Sequence, residues 1–173
     1  MKPSDTLQKL LIVQANHERF NEAFYLSASN WLFFNDLDGM GSYFELHAAE
    51  EKTHFEAFKN YLIDNNAAMV MTEVKQPKVD FKNVVDIFEE AVKAEDLTSQ
   101  LIRKLNEQAH KDKDYRAIAF IDTFEKEQQE EEDLWYYNLT RAKLAADDPA
   151  ALLKFDDEMA QRKLAGKKRY SDK

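Results

Sequence analysis

Every seventh position along four long blocks of this chain carries an apolar side chain, and each run is broken once by an acid. The first block reads Leu11, Glu18, Tyr25, Leu32, and the second reads Phe44, Glu51, Phe58 with His47, His54 and Tyr61 beside it. The third reads Phe81, Phe88, Glu95, Ile102. In the fourth, Ala117, Ile121, Phe124, Gln128, Glu131 and Trp135 follow a three-and-four spacing. A step of about seven residues is two helical turns, so each block predicts a helix with one buried stripe.

Punctuation divides the blocks. Ser4 caps a first helix that ends near Asn35–Asp38, just before Gly39 and Gly41. A second helix is predicted from about Ser42 to Asp64, a third from about Phe81 to Ala109, and a fourth from about Tyr115 to Leu144. Residues 65–80, with Asn-Asn, a β-branched stretch and Pro77, are too many for a tight turn and read as a crossover. Asp147-Asp148-Pro149 restarts a short fifth helix over residues 149–162, because Asp caps well and Pro suits a first turn. Short loop, long loop, short loop predicts an all-α chain: a four-helix bundle (residues 4–144) with one long crossover, forming one domain over residues 1–173. The low content of Gly and Pro, 3 of each, supports long helices over turns and strands.

Four acids on apolar stripes at matched depth pose an electrostatic problem, since burial and mutual repulsion both oppose their ionisation. No Lys or Arg shares those stripes. A pair of divalent cations resolves it: carboxylates bridge hard metal ions, and the imidazole of His54, three residues after Glu51 on the same face, supplies nitrogen. With Cys 0, thiolate zinc sites, iron–sulfur clusters and thiol catalysis are excluded. The net charge of -9 argues against nucleic acid and suits a protein that handles cations. The basic stretch 163–173 reads as a solvated tail. No membrane span or signal-peptide pattern is found, which makes a soluble cytoplasmic protein the expectation.

The motifs resemble those of bacterial non-haem ferritins. Asn16-His17-Glu18 with Tyr25, Glu50-Glu51-Lys52-Thr53-His54, Lys93-Ala94-Glu95-Asp96 and Glu127-Gln128-Gln129-Glu130-Glu131-Glu132 occur in order, one on each bundle helix. Pro77-Lys78-Val79-Asp80-Phe81 after the crossover is also similar to relatives in that family. The resemblance implies a di-iron site in which Glu18, Glu51 and His54 hold one iron, Glu51 bridges, and Glu95 and Glu131 hold the second, with Gln128 beside them. It further implies a third iron position built from Glu50, Glu127, Glu130 and Glu131, and a redox-active Tyr25. Haem is not expected, because the fourth helix carries Gln128-x-x-Glu131 in place of a second Glu-x-x-His, and Lys52 follows Glu51 where haem-binding relatives carry Met.

The implied function is ferroxidase and iron storage: ferrous iron is oxidised by dioxygen or peroxide and deposited as mineral in a homo-oligomeric shell of about twenty-four subunits. The rival readings are a carboxylate di-metal oxidase acting on an organic substrate, and a non-catalytic helical assembly protein. Trp31 and Trp135 read as core packing.

Overall fold

The computed structural model describes residues 2–162; the basic tail 163–173 lies outside them. Five helices make up the architecture: α1 (Asp5–Phe34), α2 (Asp38–Asp64), α3 (Val84–Asp112), α4 (Tyr115–Ala145) and α5 (Pro149–Ala160). Their starts follow from side-chain caps. Ser4, Asn83, Asp114 and Asp148 each accept a backbone N–H from the first turn of α1, α3, α4 and α5.

The helices pack as two hairpins, α1 on α2 and α3 on α4, brought together where α1 meets α3. On the other side of the bundle, the Cα atoms of α2 and α4 stay more than 8 Å apart. Side chains alone fill that wider seam. Above and below its middle it is aromatic: Phe58 packs on Phe124 and Tyr61 on Phe120 at one end, and Tyr43 on Trp135 at the other. The apolar core accordingly falls into two clusters, one around Trp135, Phe44 and Phe88 and one around Phe58, Leu62 and Ile121.

The crossover, residues 65–83, contains no strand despite its β-branched run. It is tied along α1 by polar side chains spread over most of that helix's length. Gln8 donates to the Ala68 carbonyl, Asn16 to Val70, Arg19 to Thr72 and Ser27 to Lys78. A chain whose N–H and C=O groups are met by helix side chains does not need a partner strand.

Two helix starts differ from the sequence expectation. The third helix starts at Val84, because Asn83 caps it and leaves Phe81 as a buried plug ahead of the first turn. The second starts at Asp38, so Gly39 and Gly41 lie inside α2. Their role is close approach. A Cβ on Gly39 would sit 2.0 Å from the Asp156 carbonyl oxygen of α5. The Asp156 carboxylate also accepts the backbone N–H groups of Gly39 (3.0 Å) and Met40 (2.7 Å), so α5 caps α2 from the far end of the chain.

Candidate metal centre

Between the two aromatic layers, the interrupting acids meet. Glu18, Glu51, Glu95 and Glu131 are each at most 5% exposed, and Gln128 is similarly buried beside them. The stripe prediction therefore holds at all four helices, since a helix that buries residues seven apart must also bury the acid between them.

Ligand-type atoms converge in three groups, each with all its atoms within 4.8 Å: Glu18, Glu51 and His54; His47, Glu50 and Glu131; and Glu50, His54 and Glu127. Glu50 and His54 each belong to two groups, so the three form one continuous acid–imidazole chain along the α2–α4 seam. Glu18 and Glu51 face each other, and Gln14 donates to Glu18 at 2.6 Å. Glu95 stands slightly apart. Tyr25 donates its hydroxyl to one Glu95 oxygen, and Gln128 donates its amide to the other at 2.8 Å. Glu130 is half-buried and belongs to none of the three groups.

The electrostatics are those of a site short of positive charge. Burial, then repulsion by neighbouring carboxylates, pushes Glu18, Glu51 and Glu131 well above the usual carboxylate range. Burial also raises Glu95, against the lowering effect of the Gln128 and Tyr25 donors, and pushes Glu50 up to about 7. Burial alone would lower His54, but its bond to Glu127 and the surrounding acids outweigh that and bring it to about 9. Among the described residues, the only basic side chains within 4 Å of the carboxylates of Glu50, Glu51, Glu127 and Glu131 are the imidazoles of His47 and His54. Several carboxylate oxygens, including one on Glu18, one on Glu51 and both on Glu131, are buried without a hydrogen-bond partner. Unpartnered buried acceptors of this number are costly unless a cation meets them. Hard oxygen donors with one or two imidazoles fit a divalent first-row metal.

His47 is the residue that sequence reasoning did not place in the centre. It is 2% exposed, with Nδ1 at 3.5 Å from Glu50 and 3.7 Å from Glu131 and with Nε2 unpartnered. Burial lowers it to about 3, so it is a neutral imidazole and free to ligate. The signal was present, because His47 lies seven residues before His54 and three before Glu50. Behind it, Trp135 is fully buried and stacks on Tyr25 with ring centroids 5.3 Å apart.

Residues 8–145 match the ferritin-like domain family. A bacterial non-heme ferritin of Campylobacter jejuni is 33% identical over 95% of this chain and 99% of its own length. One of Staphylococcus aureus is 30% identical over 92% of this chain and 96% of its own. The solved open-pore ferritin of Archaeoglobus fulgidus superposes with a TM-score of 0.91 over 94% of this chain and all of its own at 23% identity, a likeness of fold. With the matched family covering all four bundle helices and the buried acids meeting between them, the chain belongs to the ferritin family.

Proposed function

We propose that this chain is the subunit of a cytoplasmic iron-storage protein and that its centre oxidises ferrous iron. The observation that carries this reading is the run of buried, partner-poor carboxylates and imidazoles along the α2–α4 seam. Its relatives carry the name non-heme ferritin, which agrees with it.

In this reading Glu18 and His54 hold one ferrous ion, Glu51 bridges to a second, and Glu95 and Glu131 hold that second ion with Gln128 alongside. The protons that burial keeps on Glu18, Glu51 and Glu131 leave as iron enters, so uptake exchanges protons for charge. Each ferrous ion gives one electron to the oxidant. With dioxygen, two electrons and two protons yield hydrogen peroxide. Hard carboxylate donors stabilise the ferric product more than the ferrous reactant and draw the reaction forward. Where only one ferrous ion is bound, Tyr25 can supply the second electron to dioxygen while its proton passes to Glu95, to which it is already hydrogen-bonded.

Ferric iron then leaves by the remaining acids. Glu50 and Glu127, with His54, form the next group along the seam. We assign the third iron position to Glu50, Glu127, Glu130 and Glu131, of which Glu130 lies outside that group. Mineral deposition requires an enclosed volume, for which we assign a homo-oligomeric shell of about twenty-four copies. Apolar side chains left exposed on one subunit, Phe34 at 87% and Leu144 at 77%, suit burial between copies.

The rival organic-substrate oxidase needs an apolar cavity beside the metals. The cleft of about 560 Å³ lined by Trp31, Leu37, Val84, Pro149 and Leu152 lies at the end of the bundle and contains no candidate ligand. The test of the proposal is particle size and iron content after aerobic loading. Storage predicts a very large particle holding far more iron than two or three ions per chain, and a monomer or dimer with stoichiometric iron would refute it.

A further inference from the structure

His47, Glu50 and Glu131 meet at the end of the metal centre nearest Trp135. His47 and Glu50 lie three residues apart on one face of α2, and Glu131 reaches them from α4 across the seam. His47 Nδ1 stands 3.5 Å from a Glu50 oxygen and 3.7 Å from a Glu131 oxygen. Three kinds of contact would set different spacings here. A direct hydrogen bond draws nitrogen and oxygen to about 2.9 Å. A water bonded to both would hold them about 4.5 Å apart. Two ligands of one tetrahedral ion, each about 2.1 Å from it, stand about 3.4 Å apart. The observed spacings lie nearest the last.

The same side chains are short of partners. Both oxygens of Glu131, which is 5% exposed, and Nε2 of His47, which is 2% exposed, are buried without a hydrogen bond. A buried carboxylate in that condition calls for a cation. Two unpartnered oxygens let Glu131 serve the paired site with one and a neighbouring ion with the other. The imidazole is also fixed in place: its ring packs edge-to-face with Tyr43 and Trp135, at centroid distances of 4.6 Å and 4.8 Å. A donor held by packing loses little freedom on binding. Glu130, by contrast, is half-buried and stands outside each converging group.

We infer that His47, Glu50 and Glu131 form a further binding position for a divalent first-row metal ion, ligated by His47 Nδ1 and joined to the paired site through Glu131. As a stop for iron beside the pair, this position rests on the paired-iron reading above; as a metal site, it rests on the three side chains alone. Nitrogen in the donor set changes which ions it takes. An all-carboxylate position suits magnesium or manganese, whereas an added imidazole suits zinc, iron, nickel and copper. Because the third iron position also draws on Glu50 and Glu131, an ion held by His47 competes with one there.

Zinc is the probe, since it binds imidazole and carboxylate without redox chemistry. Crystals of the parent chain and of Glu51→Ala are grown metal-free, soaked in zinc and mapped by anomalous scattering, and zinc binding is titrated in solution with the parent and His47→Gln. A zinc ion about 2.1 Å from His47 Nδ1 is expected in the parent. It should persist in Glu51→Ala, which removes the bridge of the pair and none of these three ligands. His47→Gln should weaken the binding of one zinc per chain by about tenfold or more. Zinc at the pair with none on His47 Nδ1, or zinc on Glu130 in place of His47, overturns the inference and spares the iron reading. Zinc on His47 with the pair empty does the reverse. Empty positions throughout overturn both. An unchanged zinc titration in His47→Gln also overturns the inference, and should that variant fail to fold, the parent and Glu51→Ala crystals decide it.

Discussion

The side chain of Gln128 on α4 donates to the carboxylate of Glu95 on α3 at 2.8 Å, and to the Glu95 carbonyl at 3.2 Å. An uncharged amide thus occupies a position where a fifth carboxylate would fit, on the half of the centre that also receives the Tyr25 hydroxyl. In the proposed reading these donors compete with metal for Glu95, which would weaken the second position and suit it to turnover. Gln128→Glu should reverse that, tightening the second ferrous ion by about tenfold, the scale of one added charge-assisted contact, and slowing product departure. Anaerobic ferrous titration followed by multiple-turnover oxidation would show both effects.

Glu51→Gln should stabilise the metal-free protein while removing its paired binding. Burial, then repulsion by Glu95 and Glu131, pushes the wild-type carboxyl well above its ordinary range, and an amide of the same shape avoids that conflict. A gain of about 1–2 kcal/mol is expected from replacing one member of a buried charged cluster. This corresponds to a rise of about 2–8 °C in the melting temperature for a chain of this length. Thermal melts in chelator, with and without added zinc, check it. A lower melting temperature in chelator would show that Glu51 is satisfied without metal.

The metal-free protein should lose stability between about pH 6.5 and pH 9. Glu50 rises from 4.5 to about 7 and His54 from 6.5 to about 9 in the folded chain. Each therefore binds more protons folded than unfolded, and its contribution is complete below the unfolded value and lost as pH climbs through the folded one. His47, lowered from 6.5 to about 3, acts the other way, but its contribution is lost only as pH falls below 6.5. Urea midpoints in chelator at the two pH values provide the measurement. Bound divalent metal should remove or invert the trend, because metal requires the deprotonated carboxylates and its affinity grows with pH.

Gly39→Ala should dislodge α5. The new Cβ would meet the Asp156 carbonyl 2.0 Å away, and relief of that clash withdraws the carboxylate from the Gly39 and Met40 N–H groups. A loss of about 2–4 kcal/mol is expected from overpacking combined with a lost cap. Asp156→Ala should lose the cap alone, at about 1 kcal/mol. Denaturant midpoints for the two variants distinguish the contributions.

These examples also separate what could be read from the chain alone. The acids at Glu18, Glu51, Glu95 and Glu131 were legible because helical periodicity is local and an acid on an apolar stripe stands out against it. Gly39 was misread as a helix boundary because its reason lies 117 residues away, in the approach of α5. His47 was passed over although Glu50, three residues on, is a local partner; its second partner, Glu131 on α4, meets it only once α2 and α4 face each other across their wide seam.

The central claim, a paired iron site bridged by Glu51, is tested most directly by anaerobic ferrous titration of the parent chain and of Glu51→Ala, followed by dioxygen and measurement of its consumption. The account predicts tight binding of at least two ferrous ions per parent chain, rapid oxidation of the pair on the first addition of dioxygen, and loss of both in Glu51→Ala, because a bridging carboxylate serves both ions. Equal ferrous binding and equal initial oxidation in the parent and Glu51→Ala would contradict it.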